Sequence, residues 1–399
     1  MKQKRCVCVG VTGGIAVYKA LDVISQLKKK DIDVRVIMTK SATEFVTPLS
    51  FQSLSQNMVV TDMFAEPKAF EIQHISLAKR ADVFLVVPAT ANIIGKVANG
   101  ISDDMLSTTI MATKAKVIFA PAMNTNMYEN RIVQDNIRKL KDYGYEFIEP
   151  DSGRLACGDI GTGKLADVNV IVNKVMSEII KLDKDQDLKG KKVLITAGPT
   201  QSSIDPVRFI TNKSTGKMGY AIAEEARDRG AEVTLISGPT ILEKPYGIKT
   251  IDVTTNEEMK NKVLSCYEES DIVIKSAAVA DYKAKEYSKE KIKKSEGDLT
   301  LSFERDNDIL KILGDEKKDQ ILVGFAAESS NLLNNAKNKL KKKNLDYIVA
   351  NDITSVDTGF GSDNNRVIIL SKEGEEIYLD KMSKREVASK IFETILRKR

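Results

Sequence analysis

One histidine, His74, occurs in the whole chain, so any step that needs an imidazole near neutral pH has a single candidate. It sits in Gln73-His-Ile-Ser-Leu-Ala-Lys79, just ahead of an apolar run. A lone histidine is equally readable as a structural residue. Asn124 closes Pro121-Ala-Met-Asn124 directly after a strand-like segment, where parallel α/β sheets hold ligands. Its amide can donate to a carboxylate, although Pro and Asn also favour plain turns. Cys157, between Ala156 and Gly158 in the glycine-rich stretch Gly153 to Gly163, is a candidate reactive thiol on a loop. Cys6 and Cys8 alternate onto one strand face and Cys266 lies in a helical pattern; all three read as core.

The second half carries a different set. Asp205-Pro-Val-Arg-Phe-Ile-Thr-Asn212 places Arg208 and Asn212 on the loop after a strand, and Ser276-Ala-Ala-Val-Ala-Asp-Tyr282 places Asp281 after another. Lys291, in Lys291-Ile-Lys-Lys294, could neutralise charge developing on a transferred phosphoryl or nucleotidyl group.

Three glycine-containing turns suggest phosphate contacts. Thr12-Gly-Gly-Ile-Ala16 follows an apolar strand and opens a helix, which lets backbone N–H groups and the helix N-terminus approach an anion. The spacing is not GxGxxG, so a mononucleotide or flavin phosphate fits better than a dinucleotide; a tight turn without ligand is the alternative. Gly158 to Lys164 has P-loop spacing, but Leu165 follows where a hydroxyl is needed for Mg²⁺. Ser214-Thr-Gly-Lys217 fails likewise at Met218 and reads as a glycine-rich helix start.

The elements that must position these residues show in the apolar runs. Cys6–Val11, a helix to about Lys28 and Ile32–Met38 form one βαβ pattern; Lys192–Ala197, a helix over Gly219–Arg229 and Ala231–Ile236 form another. Further buried strands are expected at 83–87, 117–120, 272–274, 321–325 and 347–350, continuous apolar runs suited to parallel strands covered on both faces. An antiparallel hairpin is expected over 366–379 and a last helix from Ser383 to Arg397. The polar segment Lys181 to Gly190 marks the division into 1–184 and 185–399.

Composition agrees with two α/β domains in tandem. The 399 residues are 42% hydrophobic and 29% charged, an ordinary globular mixture. The net charge of +5 is too mild to argue for nucleic acid. Four cysteines without a CxxC argue against a disulfide or zinc scaffold and suit a reducing cytoplasm. No apolar run approaches the roughly 20 residues that span a bilayer, and the basic start before Cys6 reads as the approach to a strand, not as a signal peptide. The lysine-dense segments 283–294 and 337–343 read as solvated surface or as a grip on a polyanion.

Taken together, the motifs resemble the bacterial bifunctional phosphopantothenoylcysteine decarboxylase/phosphopantothenate–cysteine ligases of coenzyme A biosynthesis, over nearly the whole chain. The first half is similar through Thr12–Ala16, the region of His74, Pro88–Asn92, Ser102–Thr109, Pro121–Asn124 and Ala156–Gly158. The second is similar through Ala197–Thr200, Asp205–Asn212, Ser214–Gly219, Ser276–Tyr282, Lys291–Lys294, Gly324–Glu328, Lys343–Asp346, Ala350–Asp352 and Ser362–Asn365.

The resemblance implies two tandem Rossmann-like domains, a flavodoxin-like flavoprotein decarboxylase over 1–184 and a ligase with a mainly parallel sheet over 185–399. It implies FMN near Gly13, Gly14, Ile15, Ala16, Ser41, Thr90, Ser102, Met105, Ser107 and Thr108, with His74 assisting, Asn124 and Met123 on the substrate carboxylate and Cys157 supplying a proton. In the ligase half it implies CTP with Mg²⁺ activating 4′-phosphopantothenate as an acyl-cytidylate that L-cysteine attacks. Asn212, with Arg208 close by, would hold substrate and intermediate. Lys291, Ser276, Ala277, Asp281, Asn307, Asp308, Ile309, Leu310, Phe325, Lys339 and Lys343 would contact the nucleotide. The product, phosphopantothenoylcysteine, is then the substrate of the first half. A cytoplasmic homo-oligomer, a dodecamer of decarboxylase domains, is also implied, with no nucleic-acid or membrane partner. Two rival readings are weaker. A nicotinamide-dependent dehydrogenase lacks its GxGxxG, and a non-catalytic flavin-binding regulator would not need His74, Asn124 and Cys157 together.

Overall fold

The computed structural model describes residues 4–64, 72–156, 158–293, 299–328, 331–352 and 361–397. The chain forms two compact units, 1–183 and 184–399.

In the first unit the strands are β1 (Cys6–Val11), β2 (Asp33–Met38), β3 (Val59–Val60), β4 (Val83–Ala89), β5 (Lys116–Pro121) and β6 (Glu146–Phe147), with a separate ribbon of β7 (Asp151–Arg154) and β8 (Ile160–Lys164). The helices are α1 (Val17–Lys29), α2 (Lys40–Thr43), α3 (Pro48–Ser55), α4 (Gln73–Arg80), α5 (Ala91–Ala98), α6 (Met105–Ala112), α7 (Thr125–Glu129), α8 (Arg131–Asp142) and α9 (Val168–Asp183). The main sheet runs β3-β2-β1-β4-β5-β6, every pairing parallel. Its order reverses between β1 and β4, which opens a crevice at their C-terminal ends.

The apolar run of β1 buries both faces, as the sequence implies. Val7, Val9 and Val11 pack with α1 and α9, whereas Cys8 packs with Phe84, Ile93 and Leu106 on the other side. Cys6 and Cys8 are buried free thiols. Burial pushes the Cys6 thiol up to about 12 and the Cys8 thiol well above its ordinary value, so neither supplies a thiolate. One expectation is corrected. The stretch Gly153 to Gly163 is not a glycine-rich loop: β7 and β8 pair antiparallel, with Gly153 opposite Gly161. Residues 160–164 are therefore strand and not a P-loop.

In the second unit the strands are β9 (Lys192–Ala197), β10 (Gln201–Ser203), β11 (Phe209–Thr211), β12 (Glu232–Ser237), β13 (Lys249–Asp252), β14 (Ile272–Lys275), β15 (Tyr282–Ala284), β16 (Phe303–Arg305), β17 (Ile321–Glu328), β18 (Tyr347–Asp352), β19 (Asn364–Ser371) and β20 (Glu376–Ser383). The helices are α10 (Lys217–Asp228), α11 (Asn256–Tyr267), α12 (Ile309–Asp315), α13 (Leu332–Lys342) and α14 (Lys384–Leu396). The sheet order is β13-β12-β9-β14-β17-β18-β19-β20. It is parallel through β18 and antiparallel over the last two pairings, so the expected hairpin closes one edge. Val193 and Ile195 face one helix layer and Leu194 the other. The segment after β9, expected as a loop, is a short hairpin of β10 and β11.

Candidate active sites

In the first unit Thr12 to Ala16, Ser41, Thr90 and Asn124 follow the C-terminal ends of β1, β2, β4 and β5. Thr12 is buried, and its hydroxyl donates to the Pro88 carbonyl at 2.7 Å and accepts from the Thr90 N–H at 3.1 Å. The turn after β1 is thus tied to the turn after β4. Gly13 passes so close to the start of α2 that a Cβ there would lie 2.5 Å from Ser41 Cβ. Gly14 faces the Thr90 methyl with room to spare, 3.9 Å. Ala16 is the N-cap residue of α1, and Ile15 is 63% exposed. This is a close-walled, glycine-lined cradle at a helix start that leaves backbone N–H groups for an anion, and it fits a flavin phosphate.

The segment from Ser102 is shaped by Asp104, which accepts from the Ser107 N–H at 2.8 Å and from the Ser107 hydroxyl at 3.0 Å, capping α6. Burial works against the Asp104 charge, but these bonds and Lys96 outweigh it and hold the carboxyl below its usual range. Ser107 and Met105 are consequently buried; they set the shape of the segment and do not present their side chains. Ser102 is exposed, and its carbonyl accepts from the Thr108 hydroxyl at 3.2 Å. His74 lies half-buried on α4, which packs on α6.

The turn after β5 meets the β7–β8 ribbon. The Met123 N–H donates to the Gly163 carbonyl at 2.9 Å. A Cβ on Gly161 would lie 2.6 Å from Thr125 Oγ1, and one on Gly163 would collide with the Met123 carbonyl. Two glycines thus let the ribbon lie against residues 123–125. The Asn124 side chain N-caps α7 through Oδ1, and its Nδ2 donates to Asp159 Oδ2 at 2.9 Å. Thr125 Oγ1 is buried without a hydrogen-bond partner. Cys157 lies outside the described residues.

In the second unit a cavity of about 340 Å³ opens at the C-terminal ends of β14, β17 and β18. Asn212, Ser276, Ala277, Asp281, Asn307, Asp308, Ile309, Leu310, Phe325, Lys339 and Lys343 all line it. Asn212 Nδ2 donates to the Ala278 carbonyl at 3.0 Å, and Ala277 N–H to Thr196 Oγ1 at 3.2 Å. Asp308 caps α12 and pairs with Lys343 at 2.8 Å. Burial opposes its charge, but Lys343 and the Lys311 N–H hold its carboxyl below the usual range. Lys339 Nζ donates to the Phe325 carbonyl at 3.0 Å.

Two residues expected here lie elsewhere. Arg208 does not line the cleft. It grips Asp205 through Nε at 2.9 Å and Nη2 at 2.5 Å, and the Ile292 carbonyl at 2.8 Å. Asp205 in turn accepts from the Ile292 N–H at 3.2 Å, and Arg208 first of all holds its carboxyl far below the usual range. Arg208 is thus a positioning residue for the segment that carries Lys291. Lys291 itself is exposed and outside the cleft lining, because it belongs to a strap clamped beside the β10–β11 hairpin. Lys294 lies outside the described residues.

The cleft also holds residues that sequence reasoning did not name as site residues. Lys217, after the left-handed N-cap Gly216 (φ 81°), pairs with Asp363 at 2.7 Å. Lys384 is buried, and burial with Lys217 nearby pulls its ammonium down. Among the described residues no hydrogen-bond partner reaches the buried Asn351 Oδ1. Lys275 ends β14; desolvation first, then Lys339 and Lys343, brings its ammonium down to about 7. A charged residue closing an apolar strand was the signal for Lys275. Asn351 and Lys217 stood inside quoted motifs. Among the described residues no group of three or more His, Cys, Asp or Glu side chains is placed to hold a metal ion.

Comparison with known proteins identifies the family of both units. Residues 1–180 match the family described as Flavoprotein, and residues 188–398 the DNA/pantothenate metabolism flavoprotein C-terminal domain. The coenzyme A biosynthesis bifunctional protein CoaBC of Bacillus subtilis is 51% identical over 396 residues, covering 99% of this chain and 97% of the relative. The protein of the same description from Borreliella burgdorferi is 44% identical over 398 residues, 99% of this chain and 100% of the relative. Among solved structures, a C-terminal domain of CoaBC is 45% identical with a TM-score of 0.47, covering 53% of this chain and 97% of that one. The chain belongs to the family of bifunctional coenzyme A biosynthesis enzymes, which join a flavoprotein phosphopantothenoylcysteine decarboxylase to a phosphopantothenate–cysteine ligase.

Proposed function

We propose that the second unit uses CTP to activate 4′-phosphopantothenate as an acyl-cytidylate with release of pyrophosphate, after which the amine of L-cysteine displaces CMP. Phosphopantothenoylcysteine then passes to the first unit, which decarboxylates it to 4′-phosphopantetheine and CO₂ with FMN. A carboxylate oxygen is a poor leaving group, so activation as a mixed anhydride is what the ligation needs. The observation that carries the reading is the convergence of Asn212, Asp281, Asp308, Phe325, Lys339 and Lys343 on one cleft, in a chain with full-length relatives of that family.

In the ligase cleft Asn212 would hold the substrate and the intermediate. Lys339 and Lys343 would take the nucleotide phosphates, where a lysine acts as a point charge. Mg²⁺ would arrive with the nucleotide and screen its triphosphate. Asn307, Asp308, Ile309 and Leu310, around the start of α12, line the same cleft and would border the nucleotide. Lys291 would enter from its strap, which Arg208 and Asp205 hold.

In the first unit Gly13, Gly14, Ile15, Ala16, Ser41 and Thr90 would hold FMN at the β1–β4 crevice, joined by Ser102 and Thr108. Bound there, FMN supplies the two-electron chemistry that makes loss of the carboxylate possible. Asn124 would grip the substrate carboxylate with Nδ2, as it grips Asp159 here. His74 would move a proton or orient the substrate, and Cys157 would return a proton to the product carbon.

Exposed Ile15, Tyr18, Phe45 and Leu49 in the first unit favour self-association, in keeping with a cytoplasmic dodecamer. Among the described residues no helix is long and apolar enough to cross a membrane.

The visible spectrum of the purified protein, with the released chromophore identified by mass, tests the first half: a yellow protein yielding about one FMN per chain is expected. A colourless protein that cannot be reconstituted would overturn the decarboxylase assignment. CTP-dependent pyrophosphate release in the presence of 4′-phosphopantothenate tests the second.

A further inference from the structure

Among the described residues Lys275 differs from the other lysines of the second cleft in having no partner. Lys343 is paired with Asp308, Lys339 donates to the Phe325 carbonyl, and Lys217 is paired with Asp363. Among the described residues no hydrogen bond or ion pair reaches Lys275 Nζ.

The strand register explains its position. Lys275 is the last residue of β14, flanked by Thr196 on β9 and Gly324 on β17. It shares the parity of Val273, which packs into the layer of α11, α12 and α13. Gly324 has no side chain, and the space beside it is closed by Leu310 and Leu345. The lysine therefore rises along an apolar wall into the cleft.

The charged groups facing it come from each neighbouring element. Asp281 follows β14, Asp308 starts α12, and Lys339 and Lys343 belong to α13 and its C-cap. On α11, the Glu258 carboxylate is spent on the Thr254 and Thr255 N–H groups. With Asp308 held by Lys343, the balance on Lys275 is desolvation plus two like charges, and its ammonium sits near about 7. An empty cleft thus leaves Lys275 largely neutral on the alkaline side of neutrality. A polyanion in the cleft reverses the sign of that field.

We propose that Lys275 is a phosphate-positioning residue of this cleft, and that its Nζ takes up a proton from solvent as the nucleoside triphosphate binds. No covalent bond to carbon changes; the neutral amine becomes an ammonium against the phosphate oxygens. The inference rests on the reading of the cleft as a nucleotide site, and it makes nucleotide affinity proton-linked.

Titration calorimetry of the full-length protein with Mg²⁺–CTP at about pH 8, in two buffers of different ionisation enthalpy, counts the protons taken up. At this pH the triphosphate is already ionised. The wild type should take up the larger part of a proton per site, as follows for an amine at about 7 that becomes charged on binding. Its affinity should fall roughly tenfold from about pH 8 to about pH 9. Lys275→Met should bind more weakly, without uptake and with a flat pH profile. Lys275→Arg, charged throughout, should bind without uptake and keep its affinity at the higher pH. A purely structural lysine would show neither the uptake nor the arginine rescue. Nucleotide binding with no uptake by the wild type, or with equal uptake by Lys275→Met, overturns the inference and leaves the ligase assignment standing. Failure of Mg²⁺–CTP to bind the wild type overturns both.

Discussion

The carboxamide of Asn124 donates from Nδ2 to Oδ2 of Asp159 at 2.9 Å. The residue assigned to the substrate carboxylate thus already holds a carboxylate, on the segment between β7 and β8. Asn124→Ala should keep its flavin and its ligase activity while decarboxylation falls roughly a hundredfold, the order expected for losing one aimed donor. Asn124→Asp should do the same and also loosen the ribbon, because two carboxylates would then face each other. CO₂ release and limited proteolysis at residues 151–164 check the two effects.

Gly13 and Gly14 are adjacent in sequence and unequal in space. A Cβ on Gly13 would lie 2.5 Å from Ser41 Cβ, whereas one on Gly14 would meet nothing nearer than 3.9 Å. Gly13→Ala should therefore lose most of its flavin, and Gly14→Ala should keep most of it. Flavin per chain, read from absorbance, distinguishes them; equal retention would contradict the close-walled cradle.

Arg208 and Asp205 act on the ligase from outside the cleft. Arg208→Ala should lower ligation by freeing the strap that bears Lys291, with little change in the KM for CTP and none in decarboxylation. Because Arg208 holds the Asp205 carboxyl far below the usual range, the clamp stays ionised through neutral pH. The ligase pH profile should show no limb from this pair above about pH 5, well clear of an ordinary carboxylate. A KM effect as large as the kcat effect would mean that Arg208 contacts substrate.

Asp346 ties the sheet of the second unit together. It accepts from the Leu322 N–H at 2.8 Å and from Lys317 and Lys372 at 2.6 and 2.9 Å. Burial opposes its charge, but these partners win and lower its pKa. The sign follows: the contribution is present above the unfolded value of about 4 and is lost as pH falls through the lower folded value. Asp346→Ala should cost about 3 kcal/mol near neutral pH, as for a buried pair stripped of one partner. The gap to wild type should narrow in acid. Denaturant melts at neutral and acid pH measure both.

The parallel strands were legible because a strand covered on both faces must be apolar throughout, as 83–87 and 347–350 are. The ends of those strands located the cleft residues for the same reason. The ribbon at 151–164 was not legible: Gly161 and Gly163 are needed for close approach to Thr125 and Met123, and glycine of that kind reads as loop in one dimension. The clamp role of Arg208 was hidden because Ile292 lies 84 positions away. Lys275 went unnamed because a strand was read up to Ile274 and a motif from Ser276, and its lost partner is visible only once α12 and α13 are in place.

The most direct test of one chain performing both reactions is product analysis by mass after incubation with 4′-phosphopantothenate, L-cysteine and Mg²⁺–CTP. The wild type should yield 4′-phosphopantetheine with CO₂, and His74→Asn should stop at phosphopantothenoylcysteine with ligation intact. Absence of any ligated product, or a wild type that stops at phosphopantothenoylcysteine, would contradict it; full conversion by His74→Asn would contradict the role given to His74.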